Sequence, residues 1–139
     1  MNSNKHKRRR LNWTAALLSF AVLTQLLVAE DKPTSLSDAR DAVEANLRTS
    51  EGKKYDELMG TEFPQKHLSP LRKCKQTAGD DKRNFWMLFK LDRDGTVKEL
   101  LFYPETKLGT CARAALLKET FSAPPRPAYW ISVYMQLSR

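Results

Sequence analysis

Histidine, cysteine and glycine are scarce in this chain, and each scarcity removes a class of chemistry. Two histidines, two cysteines and five glycines occur in 139 residues. His6 lies in a basic leader, so His67, Cys74 and Cys111 are the soft metal ligands left in the remainder. Zinc needs three or four ligands in suitable geometry, a demand that set barely meets. A Cys-His nucleophile pair would draw on His67 and Cys74, but a disulfide would consume that thiol. The glycines form no phosphate-cradling loop. Asp80 and Asp81 are adjacent carboxylates in a polar stretch, read as solvated rather than catalytic. No enzymatic activity, cofactor or metal is expected.

Charge is missing in two places as well. No acid precedes Glu30, and residues 11 to 29, "LNWTAALLSFAVLTQLLVA", carry no charge of either sign. Lys5, Lys7, Arg8, Arg9 and Arg10 stand just upstream. A basic stretch, an apolar stretch and Ala29 before an acidic start read as a secretory signal peptide. The apolar run also approaches the roughly 20 residues needed to span a bilayer, so residues 1–29 are a signal peptide or, uncleaved, an N-terminal membrane anchor. The positive-inside rule places the rest outside the cytoplasm either way: periplasmic or secreted, or inner-membrane anchored and facing the periplasm. No cysteine closely follows the run, which argues against a lipoprotein.

The leader also explains the formal charge of +8. Taking its five cations from 24 Lys and Arg leaves 19 against 16 Asp and Glu, a net of +3. That is an ordinary balance, and no nucleic-acid partner is expected. Cys74 and Cys111 both lie in the exported part, where two lone cysteines in a small domain pair. Closing that loop contributes about 4 kcal/mol in the chain-entropy model.

What is present reads as an α+β domain. "LDRDGTV", residues 91–97, resembles the start of a calcium loop, yet with Gly95 at the sixth position Lys90 falls at the first and Leu101 at the twelfth. Calcium needs oxygen ligands at both, so the D-G pair between alternating runs is read as a hairpin turn. Upstream, Ser35 and Asp38 make a capping box. Leu36, Ala39, Val43 and Leu47 repeat at helical spacing, and Gly52 is expected to end that helix. Residues 53–83 show no clean period; Pro64 and Pro70 break them, and Lys66, Arg72, Lys73 and Lys75 give them a basic face.

The first strand, "NFWMLFKLD", sets Phe85, Met87, Phe89 and Leu91 against Trp86 and Leu88, apolar on both faces as a central strand would be. The second sets Val97, Leu101 and Tyr103 against Lys98, Leu100 and Phe102. A helix capped by Thr110 should then bury the stripe Cys111, Ala114, Leu117 and Phe121. Pro124, Pro125 and Pro127 stop it, and "PPRP" is read as that stop rather than as a polyproline ligand. "AYWISVYMQL" alternates as a last strand. The expectation is α-β-β-α-β, a three-stranded antiparallel sheet of order 2-1-3 with helices packed on one face, and residues 30–139 folding as one domain. The last strand becomes an open edge.

"F-x-L-D-R-D-G-T-V", then "C-A-R-A-A-L", then "F-S-A-P-P-R-P-A-Y-W" resembles the C-terminal domain of the TonB/TolA superfamily of bacterial envelope proteins, over roughly residues 84–137. In that family Cys111 matches a helix cysteine bridged to the start of the first strand; Cys74 lies about ten residues earlier, so the bridge is expected to reach a preceding loop. The resemblance implies a non-enzymatic module that binds another envelope protein by strand addition. Carried over by position, Tyr129, Ile131, Val133 and Met135 form the candidate surface, with Trp130 and Tyr134 holding partner side chains. Paired edge strands would also allow a homodimer.

Two departures from the family argue against energy transduction. Only "EDKPTS" separates the apolar run from the first helix, and six extended residues reach about 20 Å. Residues 11 to 29 hold no His, Asp or Glu to couple to protons. The alternative is a membrane-tethered module whose Lys66, Arg72, Lys73 and Lys75 meet anionic lipid or envelope polymer.

Overall fold

The computed structural model describes residues 33–81 and 83–137; the signal-peptide or anchor reading falls outside them. Helix α1 spans Leu36–Leu47, and the Ser35 side chain accepts from the Asp38 N–H at 3.1 Å. It stops well before Gly52, which belongs to the first turn of α2, Ser50–Glu62. Thr49 caps α2 by accepting from Gly52 N–H at 2.9 Å, while its own hydroxyl donates to Asn46 O at 2.8 Å. A Cβ on Gly52 would fall 1.9 Å from Asn46 O. The α1–α2 corner is therefore closed by the absence of a side chain, not by a helix stop.

Residues 53–83, expected to be an irregular connection, are mainly helical. α2 runs into a π-helical turn at Phe63–His67, and α3 follows at Ser69–Ala78. Pro64 and Pro70 stand in the first turn of these two elements. For Pro70 the donors of that turn have no intrahelical partner, so a missing N–H costs nothing; Pro64 instead follows α2 without a break, where the α-helical ladder gives way to the π turn.

Strands β1 (Phe85–Leu91) and β2 (Val97–Tyr103) form the expected hairpin. β3 (Tyr129–Met135) pairs antiparallel with the other side of β1, giving the order β2-β1-β3. The α+β class and the strand order are as the sequence predicts. The face of β2 is not. Leu91 pairs with Val97 and Lys90 with Glu99, leaving Lys98 as a bulge. One extra residue reverses the alternation, so Val97 shares the core face with Leu100 and Phe102 rather than with Leu101 and Tyr103.

Helix α4 spans Lys107–Leu116, capped four residues earlier than expected by Thr106, whose hydroxyl accepts from Gly109 N–H at 3.0 Å. The new frame buries Leu108, Gly109, Ala112 and Leu116, and leaves Cys111 and Ala114 exposed. Of the stripe predicted there, Phe121 is buried, beyond the helix end. Cys74 and Cys111 are bridged, with Cα atoms 5.8 Å apart. The bridge runs from α4 to α3, a helix where a preceding loop was expected.

Apolar side chains cover both faces of the sheet. On one, Phe85, Met87, Phe89, Leu91, Phe102 and Ile131 meet Met59, Phe63, Leu71, Leu108 and Leu116. On the other, Leu88 and Trp130 lie under Ala39 and Val43 of α1. All helices were expected on one face; α1 takes the second because β1 and β3 are apolar on both sides and each apolar face needs a layer.

Candidate functional site at the open sheet edge

Two side-chain hydrogen bonds fix which backbone groups of β3 face outward. Asn46 Nδ2, on α1, donates to Trp130 O at 2.8 Å, and Leu137 N–H donates to Asn84 Oδ1 at 2.9 Å. Trp130 thus points away from β1, and Leu137 points toward it. The N–H and C=O of one strand residue point to the same side and alternate along the chain. Ser132 and Tyr134, in phase with Trp130, therefore present their backbone groups at the edge, while Val133 and Met135 are committed to β1. Asn46 already occupies the Trp130 carbonyl, so the open stretch begins at Ser132.

A groove runs alongside this stretch. Met59, Gly60, Phe63, Pro64 and Leu68 form one wall, and Ser132 to Met135 form the other. A Cβ built on Gly60 would meet nothing within 4 Å, which keeps the groove open at its middle. Its charged lining residue is Asp56, whose carboxyl is pushed above its ordinary value by burial and by Glu57. The arrangement offers backbone donors and acceptors beside apolar side chains, which suits an extended chain laid along β3.

The predicted contact residues divide. Val133 and Met135 are half-buried and Tyr134 is exposed, all three on the open stretch. Tyr129, Trp130 and Ile131 are 3–5 % exposed and belong to the core. Trp130 cannot hold a partner's side chain because α1 covers it, and Tyr129 packs edge-on against Tyr55 at 5.3 Å. The groove wall from α2 and the π turn was not anticipated. Its residues lie in the segment without a period, and no signal in the sequence brings Met59, Phe63 and Leu68 to one side.

The predicted basic face divides too. Lys66 stands 3.8 Å from Glu62, Arg72 and Lys75 line a hollow beyond Met135, and Lys73 lines neither.

Other candidates have structural roles. Asp81 accepts from the Arg83 side chain at 2.8 and 3.1 Å and from Lys107 N–H at 2.9 Å, which holds its carboxyl well below the usual range. Asp94 Oδ1 accepts from Thr96 N–H and hydroxyl at 3.0 and 2.7 Å. His67 is buried with Nδ1 2.8 Å from Glu119 Oε2 and Nε2 3.2 Å from Glu62 Oε1. On the α1 side of the sheet, Tyr103, Trp86 and Tyr134 are paired across three strands and 44–50 % exposed. Trp86 and Tyr134 have ring centroids 4.7 Å apart. Among the described residues no helix is long and apolar enough to cross a membrane. Compared with protein-family models, with curated proteins and with solved structures, the chain matches none.

Proposed function

We propose that this chain is a non-enzymatic, exported module that binds an extended segment of another envelope protein by adding it as a fourth strand beside β3. The open backbone at Ser132 and Tyr134, flanked by an apolar groove, carries this reading. The uncharged run at residues 11–29, the basic leader and the Cys74–Cys111 bridge support export to the periplasm or beyond. The resemblance to TonB/TolA C-terminal domains supports strand addition as the mode, without energy transduction.

The test uses three variants of the oxidised chain against binders selected from a displayed random octapeptide library. Tyr134→Pro removes the outward N–H and leaves the β1–β3 ladder intact, since proline is tolerated on the open side of an edge strand. It is expected to weaken binding up to about tenfold, the loss of roughly one well-placed hydrogen bond. Tyr134→Ala keeps the N–H and controls for loss of the ring. Val133→Pro removes a ladder bond and should lower stability instead. Undiminished binding by a folded Tyr134→Pro chain would sink the proposal.

A further inference from the structure

The groove beside β3 does not end with the strand. Leu68 and Met135 also line a second hollow, which continues past Gln136 and Leu137 between Leu71, Leu108, Arg72 and Lys75. The two hollows form one track, and its ends differ in charge. Asp56 is the charged residue at the α2 end. At the far end, Arg72 and Lys75 are three residues apart on α3, a spacing that stacks side chains on one helix face. Both are exposed, and among the described residues neither takes part in an ion pair or a side-chain hydrogen bond. Two acids line the same hollow. Asp81 is taken up by Arg83 and by the Lys107 N–H. Asp80 remains, so two cations stand against one anion.

We infer that the partner segment carries an acidic side chain at the end lying over Gln136 and Leu137, seated between Arg72 and Lys75, and apolar side chains that alternate into the groove against Pro64 and Leu68, the apolar wall residues that reach its surface. This rests on the strand-addition reading and adds to it the partner's chemistry. Backbone pairing with Ser132 and Tyr134 is indifferent to sequence. Alternate side chains of an added strand point into the groove, which selects for apolar residues at every second position. The cation pair then fixes register, because only one placement of the acid satisfies both contacts. Charged groups at the rim of such a surface act on specificity and on association rate.

The experiment sequences the octapeptides that the oxidised full chain retains from a random display library, then measures their affinities by fluorescence anisotropy at low and high salt. Retained peptides are expected to share alternating apolar residues and one Asp or Glu at a fixed offset. Arg72→Glu/Lys75→Glu should weaken them at least about tenfold at low salt and favour Lys or Arg at that offset on reselection. Lys73→Glu, on the same helix and outside the track, should change little. Peptides without acidic enrichment that are still lost on Tyr134→Pro would overturn the acidic inference and leave strand addition standing. Retention insensitive to Tyr134→Pro would overturn both. So would binding to anionic phospholipid vesicles, with no peptide retained, that Arg72→Glu/Lys75→Glu abolishes.

Discussion

His67 and Glu62 show how much a single pair of side chains can organise. Glu62 accepts from Ser122 N–H at 3.0 Å and from the Ser122 hydroxyl, besides facing the His67 ring. Glu119 closes the other side of the ring, so His67 donates at both nitrogens only as imidazolium. Burial works to raise the Glu62 carboxyl; the Ser122 and His67 hydrogen bonds and Lys66 outweigh it and hold the carboxyl below its ordinary 4.5. A carboxyl depressed in the folded state stabilises the fold above its unfolded pKa, and that contribution is lost as pH falls through the folded value. Glu62→Gln turns an acceptor-only group into one whose amide faces donors, and should cost about 2–3 kcal/mol near neutral pH. Urea denaturation from pH 7 to 3 checks this: the gap between the two chains should close below about 4.5. A constant gap would show that the charge is not what matters. None of this was legible beforehand. Residues five apart do not share a face of an α-helix, and only the π turn, with its i to i+5 bonding, aligns Glu62 with His67.

At the scale of elements, legibility followed local chemistry. The hairpin was readable because D-G with alternating flanks has one common solution. The bulge at Lys98 was not, since nothing in "TVKEL" distinguishes one phase from the other. α2 and α3 were hidden because Gly52, Pro64 and Pro70 read as breakers; Pro70 serves a helix start, Pro64 sits where α2 passes into the π turn, and Gly52 closes a corner. The β3 surface was half-legible for a similar reason: alternation named its residues, but α1 decided which half of the strand stayed open. Glycine makes the test. Gly95 has φ +83°, donates to Asp92 O at 2.9 Å, and would place a Cβ 1.9 Å from Phe121 O. Gly95→Ala must therefore meet both a left-handed backbone, costing about 1–2 kcal/mol, and displacement of Phe121, a core residue whose N–H donates to Gly95 O at 2.9 Å. A loss of about 3 kcal/mol in urea unfolding is expected. Gly60→Ala, in an open helical position, should instead gain about 0.4–1 kcal/mol. Equal effects of the two would show that crowding at the turn is not real.

For the whole molecule, the helices were expected on one face although the strands are apolar on both, and α1 supplies the second covering layer. The order of elements was enough for the sheet because a hairpin and one crossover permit few topologies. Placement of α3 depends on the disulfide, which ties Cys74 of α3 to Cys111 of α4 across 37 residues. That interval contains β1 and β2, so the closed loop includes the hairpin. α3 is ten residues long, too short to be stable by itself, and it buries Pro70, Leu71, Cys74 and Ala78. Cys74→Ala/Cys111→Ala should therefore lower stability by about 4 kcal/mol in the chain-entropy model. That corresponds to a fall in Tm of about 15 °C or more for a domain of this size. The loss should be uneven. Hydrogen exchange under native conditions should show α3 amides losing protection first, while α1, held by Asn46 to Trp130 O and by Ala39 and Val43 over Leu88, stays protected. If Arg72 and Lys75 form the basic end of the binding track, peptides requiring that end should lose affinity in the double variant even well below its Tm, whereas contacts at Ser132 and Tyr134 persist. Uniform loss of protection would instead mean that α3 and the sheet unfold as one unit and that the bridge does not specifically hold the basic end.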